Sequence, residues 1–475
     1  MTPTSTLIAR EAECIELQKC LESNRSEFAI VCGRRRIGKT FLIDQFFHGK
    51  FDFSFVGGHN ARTAVQLRNF AKALRHYSGK VSKILNWYDA FDALEEYLDT
   101  LPKERKKVVF IDEMPWIDKP KSDFVEALEN FWNGWANRRY DILFIASGSA
   151  TSWMADKLIE NQGGLHNRIT ARIYLSPFKL KETEEYLHGI GFNDDRLQVI
   201  QCYMFTGGVP FYLSLLDPKL SIAQNIDNLC FHPKGALRRE FDELYSALFK
   251  NVDAYINIVQ MLNAHKSGLT KAEIARKSTL NGQRLNTVLT NLEECDFIAK
   301  RTIFGKKSAS VYRLVDFYTL FYYKFIDGNN TLDDHWFTHN LDSRGVAAWM
   351  GLTFELICMQ HHKQIKKALG ISGVATSVYT WKCEATAEHS GAQIDMLIER
   401  ADRMIHLCEI KYSHSPYNID KDYAQTLRNR MTIFNQVTKN KKALLHTFVT
   451  TFGLGQGKHN SIVHSEIIMD DLFQI

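Results

Sequence analysis

The stretch that most constrains this chain is EFAIVCGRRRIGKTFLIDQFF, residues 27–47, because its hydrophobic period changes partway along. Phe28 to Cys32 form an unbroken apolar run, the pattern of a strand buried on both faces of a parallel sheet. GRRRIGKT then fits the spacing G-x-x-x-x-G-K-[ST] at Gly33, Gly38, Lys39 and Thr40, and helical periodicity resumes in TFLIDQFF. Strand, glycine loop and helix in that order make a phosphate cradle. The glycines let backbone amides turn inward, and the helix amino terminus adds positive potential. Lys39 is expected to bridge the β- and γ-phosphates of ATP, and the Thr40 hydroxyl to ligate Mg2+.

Such a cradle needs an acid at the end of a neighbouring strand. KKVVFIDEMPWI (106–117) supplies Asp112 on the metal side and Glu113, which is placed to polarise an attacking water. A third apolar strand, DILFIASGS (141–149), ends in Ser147 and Ser149, and Ser149 is the expected polar sensor facing the γ-phosphate.

Length and composition set wide bounds. At 475 residues the chain exceeds one ordinary core, and its net charge of +5 permits a nucleic-acid partner without requiring one. Its nine cysteines are scattered singly with no C-x-x-C pair, which supports neither a zinc knuckle nor a disulfide framework. No window is apolar enough to span a bilayer and no leader pattern opens the chain, so a reduced cytoplasm and no membrane partner are expected.

GRRRIGKT, VVFIDEMPW, FIASGSATSWM, NRITARIYLSPF and TGGVPFYL together resemble the archaeal-type branch of AAA+-like P-loop ATPases, close to the STAND ATPases. That resemblance covers roughly residues 10–215. It implies an arginine finger at Arg168, reaching a γ-phosphate from the same or a neighbouring subunit, which admits a homo-oligomer. It also implies that Gly207, Gly208 and Pro210 shape a hinge in a helical lid over 178–245, behind an ATPase core at 1–177.

The next unit, 246–330, has the grammar of a winged helix-turn-helix. AYINIVQMLNA is amphipathic, Thr270 and Glu273 form a capping box, a third helix follows, and a basic hairpin closes the unit. Asn281, Gln283, Arg284 and Asn286 suit the groove-facing helix, and Lys300, Arg301, Lys306 and Lys307 the wing; protein packing is the competing use of such a module. Arg284, Lys306 and Lys307 are the expected DNA contacts.

Residues 331–475 read as a long helix with Glu355, then three strands, a helix and a strand. The order resembles the restriction-endonuclease-like, PD-(D/E)XK nucleases, and also the domain of unknown function that recurs behind archaeal-type ATPases. The residues carrying that likeness are Glu355, Asp395 in QIDMLIE, and Glu409 with Lys411 in CEIKYS. It implies Mg2+ or Mn2+ held by the three carboxylates, with Lys411 activating water. An E-x-K alternation alone also arises on the charged face of any sheet. Gln393, Tyr423 and Arg428 are candidate supporting or phosphate contacts.

The expected architecture is therefore α/β: a P-loop AAA+-like ATPase domain with a helical lid, a winged helix, then a restriction-endonuclease-like α/β domain. The expected function is ATP hydrolysis coupled to DNA binding or Mg2+-dependent DNA cleavage. The alternative is an ATP-switched regulator that binds DNA or protein and does not cut.

Overall fold

A computed structural model describes residues 7–149, 152–154, 157–158, 164–165, 167–193, 195–249, 251–306 and 309–474. It divides into two compact units, Met1–Pro177 with Asn286–Asp296, and Phe178–Leu285 with Phe297–Ile475. No helix among the described residues is long and apolar enough to cross a membrane.

The first unit is built on five parallel strands, β1 (Glu27–Gly33), β2 (Phe53–Val56), β3 (Lys107–Asp112), β4 (Ile142–Ser149) and β5 (Ala171–Leu175), in the order β2-β3-β4-β1-β5. Every residue of β1, β3 and β4 is buried, because helices cover both faces of the sheet. The strand period of two sorts their side chains into two layers. Phe28, Ile30, Val109, Ile111 and Phe144 join an aromatic core with Phe70, Trp87 and Trp132. Ala29, Val31, Val108, Phe110 and Ile145 pack instead on Leu42 and Ile43 of α1 (Lys39–Phe46). The strand order sets β4 between β1 and β3, so the phosphate loop, the end of β4 and Asp112 share one sheet edge.

In the second unit, α2 (Leu180–Gly189) and α3 (Arg196–Thr206) open the region expected as a lid. Gly207 stops α3 in the left-handed region at φ +61°, and a Cβ on Gly208 would lie 2.2 Å from the Phe178 carbonyl oxygen, so that turn requires glycine. Next come α4 (Val252–Ala264), α5 (Lys271–Lys277) and α6 (Gly282–Glu294), with the Thr270–Glu273 capping box formed in both directions. A short strand, β6 (Leu269–Thr270), pairs with the hairpin of β7 (Ile298–Thr302) and β8 (Ser310–Leu314) in the order β6-β8-β7. Residues of α6 from Asn286 onward group with the first unit.

The carboxy-terminal module follows with α7 (Arg344–Gln360), β9 (Thr376–Cys383), β10 (Ala392–Arg400), β11 (Met404–Lys411), α8 (Lys421–Thr438), β12 (Ala443–Thr450) and β13 (Ser465–Ile468). Its sheet runs β13-β12-β11-β10-β9, an antiparallel meander extended by two parallel strands, with α8 as the crossover from β11 to β12. This sheet and the lid helices share the second unit and its packing. The Leu180 amide donates to Nε2 of buried His361 at 3.1 Å, Gln201 donates to the Tyr412 hydroxyl at 3.1 Å, and Arg196 pairs with Asp470 at 3.0 Å. The β7–β8 hairpin is seated on the same sheet. The Phe304 amide donates to the Thr380 carbonyl at 3.0 Å, and the Phe304 ring packs on Tyr379 and Phe434.

Candidate functional site

The phosphate loop is shaped by its glycines. Gly33 passes so close to β5 that a Cβ would lie 2.5 Å from the Leu175 carbonyl oxygen, and Gly38 stands at φ +88° immediately before α1. Lys39 is buried, and its ammonium donates to the Gly33 and Arg34 carbonyls at 3.1 and 3.2 Å. Burial lowers its pKa below the ordinary lysine value, opposed by Glu113 and Asp112. The Thr40 hydroxyl donates to Asp112 Oδ2 at 2.7 Å, and the Glu113 amide to Asp112 Oδ1 at 2.9 Å.

Glu113 sits at φ +49°, a conformation that costs a β-carbon residue about 1 kcal/mol or more. Its Oε2 is buried with no hydrogen-bond partner among the described residues, and burial raises its pKa above the usual carboxylate range. A strained backbone holding an unsatisfied acid beside Lys39 fits a group that awaits an external donor such as water. The donor set Thr40 and Asp112 likewise fits a hard divalent cation.

The serine in contact with Asp112 is Ser147, whose hydroxyl donates to Oδ1, while Ser149 is buried at the last position of β4, opposite Gly33. The register of β4 against β3 explains the difference: Ile111 pairs with Ala146, so Asp112 comes level with Ser147, while Ser149 lies two residues further along the same face. Arg168 is exposed in the turn ahead of β5, its amide bonded to the Leu165 carbonyl at 3.0 Å. Tyr174 was not anticipated from the sequence; its hydroxyl donates to the Glu294 carbonyl at the end of α6.

In the second unit the structure brings Glu355, Asp395, Glu409 and Lys411 into one neighbourhood. Asp395 and Glu409 each lie one residue beyond the Met396–Cys408 pair of β10 and β11, and Glu355 on α7 interacts with both carboxylates. Burial and then Asp395 push the Glu355 pKa up to about 7. Glu409 is buried and crowded with partners: Lys411 at 2.9 Å, the Arg430 guanidinium and the Tyr423 hydroxyl. Although burial opposes its charge, Lys411 and Arg430 hold its carboxyl below the usual range. Gln393 donates to Asp395 at 2.7 Å, and Arg313 pairs with Glu355 at 3.8 Å.

Three carboxylates suit magnesium or manganese in kind, but among the described residues no three His, Cys, Asp or Glu are positioned to hold a metal ion. Arg428 faces solvent, and it is Arg430 that enters the site. The spacing of seven between Tyr423 and Arg430, two helical turns on one face of α8, is the signal that points to it. Of the expected DNA contacts, Arg284 and Lys306 are exposed, and Lys307 lies outside the described residues.

Residues 7–216 match the family described as an ATPase domain predominantly from Archaea. An uncharacterized protein of Methanocaldococcus jannaschii is 24% identical over 410 residues, spanning 85% of this chain and 87% of its own length. Among solved structures, a Walker-type ATPase of Pyrococcus abyssi aligns at TM-score 0.46 and 16% identity, over 66% of this chain and 95% of its own. The Aeropyrum pernix ORC2 protein aligns at TM-score 0.42 and 13% identity, over 75% and 96%. The chain thus carries an archaeal-type P-loop ATPase domain.

Proposed function

We propose that the chain is an ATP-hydrolysing switch that passes its nucleotide state to a DNA-directed carboxy-terminal module. One observation carries the coupling: the lid helices α2 and α3 pack in the same compact unit as the carboxylate sheet, through Leu180–His361 and Gln201–Tyr412. A nucleotide-dependent movement of the lid then moves the carboxylate module with it.

At the ATPase site, the loop amides bind phosphate oxygens and Lys39 exchanges two backbone carbonyls for the charged γ-phosphate. Bound magnesium supplies neutralisation of phosphate charge, with Thr40 and Asp112 the residues to hold it. Ser147 fixes the Asp112 carboxylate, and Glu113 orients water with its unpartnered oxygen. Arg168, exposed and on a turn, has the freedom an arginine finger needs, in cis or from a second copy.

We read α4 to β8 as a winged helix whose exposed Arg284 and Lys306 meet DNA phosphates. The carboxylate module is read as nuclease-like, on its meander-plus-crossover sheet and on the convergence of Glu355, Asp395, Glu409 and Lys411. A second reading, a regulator that binds DNA without cutting, is favoured by the pairing of each carboxylate within the chain.

Incubation of the full chain with plasmid, ATP, and Mg2+ or Mn2+ separates them. Cleavage that disappears in Asp395→Asn and Lys411→Ala supports the nuclease. Salt-sensitive binding without cuts, altered by the ATP-trapping Glu113→Gln, supports the regulator. Neither DNA binding nor cleavage would overturn both.

A further inference from the structure

The β7–β8 hairpin turns a cationic face inward. Arg301 on β7 lies opposite Val311, and Arg313 on β8 lies opposite Ala299, so the two arginines are diagonal neighbours on one face. Both line a small cavity with Gln360 of α7 and Thr380 of β9. Arg313 also lines an adjoining cavity of about 70 Å³, with Lys266, Lys324 and an apolar wall that includes Leu262, Trp349 and Leu352.

These cations are not matched by acids. Among the described residues, no aspartate or glutamate lines either cavity. Arg301 is half-buried, and its guanidinium makes no hydrogen bond or ion pair among the described residues. Burial, and then the like charge of Arg313, lower its pKa. Arg313 pairs with Glu355 at 3.8 Å, beyond hydrogen-bond reach, and burial outweighs Glu355 and Asp395 in lowering its pKa. Lys266 and Lys324 are exposed and form no ion pair among the described residues. Holding like charges together away from water costs free energy, which an anion bound between them offsets.

Size and charge narrow the anion. A space of about 10–15 Å³ holds one water, so the larger cavity has room for about five such atoms. A phosphoryl group is of that size, and its oxygens accept paired N–H donors from arginine. Its charge of about −1.5 to −2 near neutral pH also suits this set of cations better than the single charge of a carboxylate. A recess under the hairpin admits the end of a monoester, whereas a duplex phosphodiester continues on both sides and stays outside. We propose that the recess between the β7–β8 hairpin and α7 binds a phosphoryl dianion, free or carried on a small ester, through Arg301 and Arg313, with Lys266 and Lys324 at its mouth. The wall of Leu262, Trp349 and Leu352 then receives an apolar ester group.

Isothermal titration calorimetry with phenyl phosphate, above the second phosphate pKa of about 6, tests the site. The full chain carries Lys39→Ala, so that the phosphate loop does not contribute. One site is expected, weakened roughly tenfold or more by a further Arg301→Gln or Arg313→Gln, the scale of a lost hydrogen bond to a charged group. No binding, or binding that either arginine variant leaves unchanged, overturns the proposal. So does benzoate bound as tightly as phenyl phosphate.

Inorganic phosphate distinguishes the two sources of the dianion. Affinity equal to that of phenyl phosphate assigns the site to the free ion, and weaker affinity assigns it to an ester; both support the site. A short DNA duplex that displaces phenyl phosphate overturns the proposal in favour of a backbone contact. Should the arginine variants lose their fold by circular dichroism, hydrogen exchange of the Lys39→Ala chain decides. Saturating phenyl phosphate is then expected to slow exchange over residues 298–306 and 309–314, and exchange unaffected there overturns the proposal.

Discussion

Lys39 and Glu409 are both buried ions at the centre of a candidate site, yet they are held in opposite ways. Lys39 rests on two neutral carbonyls, and burial alone dominates the fall of its pKa. Glu409 is gripped by two cations and a phenol that outweigh its burial. The first arrangement leaves a charge under-compensated and therefore receptive to an anion. The second satisfies the charge internally, and any ligand must displace a partner. One site is poised and the other is shut.

The sharpest break in that contrast would be Lys39→Ala. Truncating a charge that meets a phosphate in a buried loop costs about 2–5 kcal/mol, so ATP affinity should fall roughly 30-fold or more. Equilibrium binding of a fluorescent ATP analogue checks this; unchanged affinity would mean that the cradle is not the nucleotide site. Folding should be little affected, because Lys39 has no charged partner at hydrogen-bond distance among the described residues.

The contrast also separates what could be read from the sequence. The poised site is made by one contiguous segment, and its glycines dictate the local backbone wherever that segment lies. Asp112 was legible because a buried parallel strand announces its own end. The choice between Ser147 and Ser149 was not, since it depends on the stagger of β4 against β3. The shut site draws on α7, β10, β11, α8 and β8, so its motif residues were legible while their partners were not. Arg430, seven residues after Tyr423, shares its face of α8, whereas Arg428 turns to solvent, a difference carried by helix phase and not by residue type. Arg313 left no local trace, since its role depends on where a hairpin from another module docks. The four residues of β13 were too few to show a period.

Arg430→Gln tests the shut site directly. It removes one of the two cations on a buried carboxylate and should destabilise the second unit by about 1–3 kcal/mol, with Lys411 and Tyr423 limiting the loss. Urea unfolding monitored by tryptophan fluorescence reads the change. Arg428→Gln, two residues away and exposed, should stay within about 0.5 kcal/mol of wild type. Equal effects of the two would dissolve the distinction between them.

A further effect should appear with pH. Glu355 is raised from 4.5 in an ordinary setting to about 7 in the fold, so the folded state prefers its protonated form. Its contribution to stability is fully present below about pH 4.5 and is lost as pH rises through about 7. Glu355→Gln, which cannot ionise, should lack this loss, so that wild type and variant diverge across that window with the variant gaining on the alkaline side. Parallel Tm profiles would show that Arg313 neutralises Glu355 more completely than its distance implies.

The smallest expected effect concerns the bond between the lid and the shut site. Tyr412 follows Lys411 directly, packs its ring on Phe354 one residue from Glu355, and accepts a hydrogen bond from Gln201 on α3. Tyr412→Phe keeps the ring and removes the hydroxyl, which should cost about 0.5–1.5 kcal/mol. Gln201→Ala should cost a similar amount, and the double variant little more than either, because both remove one shared bond. A coupling near zero in that cycle would mean that the hydroxyl is as well served by water. It would leave Leu180–His361 and the Arg196–Asp470 ion pair as polar links between the lid and the carboxy-terminal module, the histidine of the first kept neutral by burial, with its pKa pushed down to about 3.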